Sequence, residues 1–178
     1  MANREALRQL QSRLAERLKA ARTETRQISW LAVECSGHGL LVPLLTAGEI
    51  FPAGTLLAVP HTQPWFLGVA NLRGQLHGVV DLAAFLGLRP PLARDAPRDQ
   101  ARLLAFNPTL GSHSAVLVDR LAGLRSAAQL SAEPPDGQAG QTRPDFASAM
   151  WRDADGRSWQ EIDLAALARH PQYLAIAA

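Results

Sequence analysis

The chain has 178 residues, 47% of them hydrophobic, and a formal net charge of +2 at pH 7. This composition supports a buried core and excludes global disorder, and the length fits one domain or two small ones. The single cysteine, Cys35, excludes an internal disulfide, and no apolar run approaches the roughly 20 residues that a membrane-spanning helix requires. We therefore expect a cytoplasmic protein that does not insert directly into a membrane.

Residues 1–27 are predicted to form an amphipathic helix, because apolar residues recur three or four positions apart. The apolar stripe consists of Leu7, Leu10, Leu14, Leu18 and Ala21. Such a stripe can dock on the rest of the protein, pair with a partner helix or a second copy of the chain, or lie on a membrane. The segment carries seven basic against three acidic side chains, so the pI of 9.3 originates here and residues 28–178 are slightly acidic.

That charge distribution weakens an assignment to nucleic-acid binding, which needs concentrated cations on the folded part. A small β-barrel that binds nucleic acid with the help of the basic helix remains the alternative function. The leading expectation is a protein without a nucleic-acid partner.

From residue 28 onward the pattern changes to short β-like runs separated by turn residues. Residues 89–100 and 131–144, which are rich in proline, glycine or polar residues, are predicted to be loops. Strands are predicted at 28–33 and 40–42 around the turn at 37–39, and at 101–106 and 114–118 around the turn at 107–112.

The segment 59–82 predicts a strand, a tight turn and a second strand. The turn contains Arg73, a long cation in a segment that otherwise buries apolar area, so we expect Arg73 to act as a docking handle. Glu49 is either a solvated loop acid or a contact to a basic partner.

An internal repeat links 79–85 with 161–167, each of which follows a predicted hairpin. The second hairpin turns at Asp155-Gly156, a strong hairpin signal. Within the repeat, Asp81 and Asp163 are predicted N-caps of short helices that Gly87 and Pro171 end. Asp81 has a second interpretation, as a carboxylate partner for Arg73. A hairpin and helix used twice favour two small β-barrels.

Catalytic motifs are absent, and no cofactor or metal site is predicted. Lys19 is the only lysine and lies in the N-terminal helix, which excludes lysine-dependent chemistry in the body. His113 between two serines, with Asp119 downstream, lacks the features of a triad. His38 and His77 are too few to hold a metal, and loop or strand histidines are the expected interpretation.

These motifs carry a family resemblance. Residues 68–74 (Gly-Val-Ala-Asn-Leu-Arg-Gly), 79–87 and the block 117–124 resemble CheW-like adaptor domains, and the similarity covers approximately residues 28–170. The arginine-rich composition and the helical extension are most similar to the type IV pilus branch of that family. Gly78 departs from the family pattern, which often has proline there.

The resemblance implies a mainly β fold of two intertwined five-stranded, SH3-like barrels with short helices over 28–178, preceded by the N-terminal helix. It also implies a non-catalytic adaptor that couples a methyl-accepting chemoreceptor to a CheA-type histidine kinase in a chemosensory complex for twitching motility. By the same resemblance, Arg73 and its neighbours Asn71, Leu72 and Gly74 would face the receptor, and the first barrel would offer an apolar surface to the kinase.

Overall fold

The computed structural model describes residues 29–91, 99–133 and 144–178, so the helix predicted over 1–27 lies outside the described residues. The described chain is mainly β with three one-turn α-helices. The strands are β1 Ser29–Cys35, β2 His38–Pro43, β3 Ala47–Pro52, β4 Phe66–Leu72, β5 Gln75–Asp81, β6 Arg102–Phe106, β7 Ser114–Val118, β8 Arg120–Ser126, β9 Leu130–Ala132, β10 Ala147–Asp153 and β11 Ser158–Ile162. The helices are α1 Leu82–Phe85, α2 Leu164–Leu167 and α3 Pro171–Leu174.

The strands form two sheets. Sheet A has six strands in the order β8-β1-β2-β11-β10-β9, and sheet B has five in the order β3-β6-β7-β5-β4. The described residues begin in sheet A, form all of sheet B and then return to complete sheet A. The prediction of five strands in each unit was wrong for sheet A. Its sixth strand is β9, whose three residues pair with Trp151, Arg152 and Asp153 of β10.

Sheet B closes on itself into a barrel-like unit. Leu57, which follows β3 at one edge, exchanges two backbone hydrogen bonds of 2.8 and 2.9 Å with Val69 of β4 at the other edge. The close approach requires glycine at position 68, where φ is +125° and an added Cβ would lie 2.2 Å from the Leu57 carbonyl oxygen. Closure removes the unpaired edges that an open sheet would expose.

The main core lies between the two sheets. It combines Leu31 and Val33 of β1 with Leu104 of β6 and Val116 of β7, all of them buried. Tyr173 of α3 inserts beside this core and stacks on Phe106 at a centroid distance of 5.9 Å. Burying side chains of this size contributes about 1.5–3 kcal/mol each, so the core holds both sheets together as one unit.

The two repeated helices have the same N-terminal arrangement. Asp81 Oδ1 accepts a 3.2 Å hydrogen bond from the Ala84 amide, and Asp163 Oδ1 accepts one of 2.8 Å from Ala165. Gly87, at φ +70°, follows the end of α1. The expectation that Pro171 ends a helix was wrong: α2 ends at Leu167, and Pro171 begins α3, where its missing amide hydrogen leaves no bond unmade.

Candidate functional site

The β4–β5 hairpin presents Arg73 in a left-handed backbone conformation. Leu72 pairs with Gln75, so Arg73 and Gly74 form a two-residue turn, with φ values of +52° and +85° as in type I′ turns. Asn71 Oδ1 accepts a 2.7 Å hydrogen bond from the Gly74 amide and stabilises the turn. The left-handed conformation costs most residues other than glycine and asparagine about 1–2 kcal/mol relative to a negative φ. The backbone of Arg73 is therefore strained.

Glu49 is the partner of Arg73. Glu49 lies in β3 rather than in a loop, and Glu49 Oε2 is 2.9 Å from Arg73 Nε. β3 and β4 are opposite edges of sheet B, and barrel closure brings the two side chains together. Asp81, the alternative partner for Arg73, instead lies fully buried and pairs with Arg89. Two residues proposed separately from the sequence are thus in contact.

The Arg73–Glu49 pair is exposed, with the Arg73 side chain 76% accessible. Such a surface pair contributes only about 0.2–1 kcal/mol to stability. Nε is the contact atom, and the described residues give the two terminal guanidinium nitrogens of Arg73 no partner. These nitrogens keep the paired donor geometry that binds a carboxylate or a carbonyl oxygen.

Two exposed apolar side chains are close to the pair in sequence. Leu76, 66% exposed, follows the turn in β5, and the partly exposed Ile50 follows Glu49 in β3. Leu72, which the sequence suggested as a partner contact, is 8% exposed and packs inside barrel B, because alternation along β4 directs it inward. Gly74 acts through its backbone conformation alone. The exposed surface defined by Glu49, Ile50, Arg73 and Leu76 is called the hairpin surface below.

An apolar groove of about 740 Å³ separates the end of α1 from sheet A. One wall is formed by residues 85–88 and the other by β2, β10 and β11. The apolar lining consists mainly of Leu40, Phe85, Leu88, Phe146, Met150 and Ile162. Sequence reasoning missed this groove, because its walls come from segments far apart in the chain and their apolar residues are indistinguishable from core residues.

A second charged cluster stabilises sheet A. Glu34 of β1 accepts hydrogen bonds of 2.6 and 2.8 Å from Arg120 and is also paired with Arg157. The Arg120 hydrogen bonds lower the pKa of Glu34 from its ordinary value, although burial opposes the shift. Arg157 also lies over the ring of Trp159, 4.6 Å from its centroid. The cluster joins β1, β8 and the β10–β11 hairpin, and it was not predicted from the sequence.

The histidines and Asp119 do not form the catalytic or metal arrangements considered from the sequence. His77 contacts His113, with ring centroids 5.6 Å apart, rather than His38. Asp119 bonds Arg89 and the Ser36 amide, so it does not orient His113. Within residues 29–91, 99–133 and 144–178, no group of three or more histidine, cysteine, aspartate or glutamate side chains could hold a metal ion. No helix in these ranges is long and apolar enough to span a membrane.

Comparison with protein-family models matches residues 29–172 to the CheW-like domain. The chain belongs to the CheW-like domain family. The resemblance inferred from residues 68–74, 79–87 and 117–124 is thereby confirmed. The match covers both sheets and the hairpin surface, and it ends within α3.

Curated relatives and a solved structure agree with the family. The protein PilI of Pseudomonas aeruginosa is 30% identical over 114 residues, which are 64% of this chain and 61% of PilI. A probable chemotaxis protein CheW of Rhizobium etli is 42% identical over 66 residues, 36% of this chain and 43% of that protein. The matches therefore span less than two thirds of either relative.

The crystal structure of the scaffolding protein TtCheW from Thermoanaerobacter tengcongensis has the same fold, with a TM-score of 0.61. It covers 76% of this chain and 88% of TtCheW at 17% sequence identity. This similarity supports a CheW-like fold of two barrel-like units.

Proposed function

We propose that this protein is a non-catalytic cytoplasmic adaptor that couples a methyl-accepting chemoreceptor to a CheA-type histidine kinase. The similarity to PilI favours a chemosensory complex of the type IV pilus and twitching motility. Membership of the CheW-like domain family supports an adaptor. The two partners and the pilus context are inferences of this proposal.

The presentation of Arg73 is the observation that carries the proposal. The chain keeps an arginine where asparagine or glycine would be less strained, and the side chain adds little to stability because it is exposed. An unfavourable conformation that the fold does not need is explained if the side chain binds a partner. We assign Arg73 and Glu49 to the receptor-binding contact, with Asn71 and Gly74 fixing the turn.

Glu49 orients the guanidinium before the partner arrives. An arginine has about 2 kcal/mol of side-chain conformational entropy, and holding Nε in place reduces what is lost on binding. Leu76 and Ile50 are exposed, and we expect them to add apolar area to the receptor contact. A surface this small gives a weak individual contact, which many copies in one assembly strengthen by 10²–10⁴-fold through effective concentration.

The adaptor acts by holding its partners in a fixed geometry. A receptor conformation that fits the hairpin surface better than another shifts the kinase between activity states by that difference in binding free energy. The protein needs no reactive side chain for this effect. It needs two separate surfaces on one folded unit, and the shared core between sheets A and B joins the sheets into such a unit.

Affinity purification from the source cells tests the proposal with the wild type, Arg73→Glu and a control, Arg152→Glu. Arg152 is a matched control because it is an exposed strand arginine paired with Glu133 in sheet A. We expect the wild type and the control to retain a histidine kinase and a coiled-coil receptor, and Arg73→Glu to lose the receptor alone. Recovery of nucleic acid in place of both proteins, with binding that weakens steeply as the salt concentration rises, would favour the nucleic-acid-binding small barrel.

A further inference from the structure

The chain returns from sheet B to sheet A through a single residue. β7 ends at Val118 in sheet B, and β8 begins at Arg120 in sheet A, so Asp119 alone connects them. A connection of this kind absorbs the backbone change when two packed units shift relative to one another. Asp119 therefore occupies a hinge position between the sheets.

Arg89 holds Asp119 and the end of β5 together. Its two terminal nitrogens donate to both oxygens of Asp81 at 2.8 and 2.9 Å, and Nη2 also donates to Asp119 Oδ1 at 3.3 Å. Asp81 is fully buried and the Arg89 side chain is 14% exposed, so water screens the ion pair little. One guanidinium thus bridges the N-cap of α1 to the hinge.

The bridge continues into sheet A. Asp119 Oδ2 accepts a 2.6 Å hydrogen bond from the amide of Ser36, which lies in the β1–β2 turn. The Asp119 amide in turn donates to the Glu34 carbonyl at 2.9 Å. The contacts Asp81–Arg89–Asp119–Ser36 therefore join α1 to β1 across the boundary between the sheets, and we call them the Arg89 clamp.

The apolar groove lies beside the clamp. Gly87 and Leu88 on one wall immediately precede Arg89, and Gly37 and His38 on the other immediately follow Ser36. A movement that separates Arg89 from Asp119 would therefore change the spacing of these walls. The clamp residues Arg89 and Ser36 are thus direct sequence neighbours of the two groove walls.

We propose that Arg89 is a positioning residue that locks the Asp119 hinge, and that breaking the Arg89–Asp119 contact lets the two sheets separate locally at Ser36. The inference goes beyond the adaptor function and does not depend on it, because it concerns the motion of the protein alone. Any partner that binds across the two walls would favour one setting of the hinge.

Cys35 is a natural reporter of this motion. It is the single cysteine of the chain, its exposed fraction is zero, and it directly precedes Ser36. Burial raises its pKa to about 12, with a smaller contribution from Asp119. The thiol therefore reacts slowly in the closed state and at an ordinary rate once the turn opens.

The test is the rate at which a disulfide reagent labels Cys35 in the full chain at pH 8, measured against urea concentration. We expect Arg89→Gln and Asp119→Asn to be labelled at least tenfold faster than the wild type without urea. Their rates should rise only weakly with urea, because local opening exposes little surface. Asp163→Ala is the control: it removes the equivalent cap of α2 and leaves the clamp intact.

The control separates local opening from general destabilisation. Asp163→Ala should be labelled with the steep urea dependence of global unfolding. Labelling of both clamp variants at the wild-type rate, or with the same steep dependence as the control, would overturn the proposal. If Arg89→Gln fails to fold because buried Asp81 loses its partner, Asp119→Asn decides, since its amide oxygen can keep the Ser36 bond while losing the charge that Arg89 binds.

Discussion

Replacing Arg73 with asparagine should leave the protein equally or more stable while removing receptor binding. Asparagine followed by glycine is a preferred pair for a turn with two positive φ values, so the substitution relieves about 1 kcal/mol of backbone strain at φ +52°. It also removes the exposed ion pair with Glu49, which costs about 0.2–1 kcal/mol. The net change is therefore between zero and about 1 kcal/mol of stabilisation.

Urea unfolding monitored by tryptophan fluorescence measures this change, and an increase of up to about 3 °C in Tm corresponds to it for a chain of this length. Arg152→Asn is the control, because Arg152 lies in β10 without positive φ and gains nothing from asparagine. A loss of more than about 1 kcal/mol in Arg73→Asn would show that the arginine is structural. Unchanged receptor binding would show that its strained conformation is not kept for the partner.

Two further changes test the barrel and the charged cluster of sheet A. Gly68→Ala should destabilise the protein by roughly 3 kcal/mol, because its Cβ would collide with the Leu57 carbonyl oxygen and its φ is positive. In Gly74→Ala the Cβ meets open space, so only the positive φ contributes and the cost should be about 1 kcal/mol. Equal urea midpoints for the two variants would contradict this difference. Because Arg120 lowers the folded pKa of Glu34, its stabilisation is complete above its ordinary value of 4.5 and is lost as pH falls through the folded value. Glu34→Gln should therefore lose less stability than the wild type between pH 5 and pH 3 in urea titrations, and equal losses would refute the assignment.

Local signals made part of the fold predictable. The β4–β5 hairpin, the Asp155-Gly156 turn and the two capped helices each depend on residues within about ten positions of one another. Turn and cap preferences act at that range, so they can be read directly from a sequence. The three-residue β9 was missed because it is too short to show alternation and lies beside a proline-rich segment.

Long-range contacts explain what the sequence did not predict. Glu49 and Arg73 were both selected as candidates, but their pairing depends on closure of sheet B, which no local pattern encodes. The bond between Ser36 and Asp119 joins residues 83 positions apart. Arg89 was assigned only to a loop, although it is one of the most buried cations among the described residues that form ion pairs.

The most direct test of the adaptor is a reconstitution of the purified protein with a CheA-type kinase and the cytoplasmic fragment of a chemoreceptor. The measurement is the change in kinase autophosphorylation that the receptor fragment produces. We predict that the wild type supports this change and that Arg73→Glu, although folded and still bound to the kinase, does not. Equal receptor control with Arg73→Glu would contradict the role of the hairpin surface, and no control with the wild type would contradict the adaptor function itself.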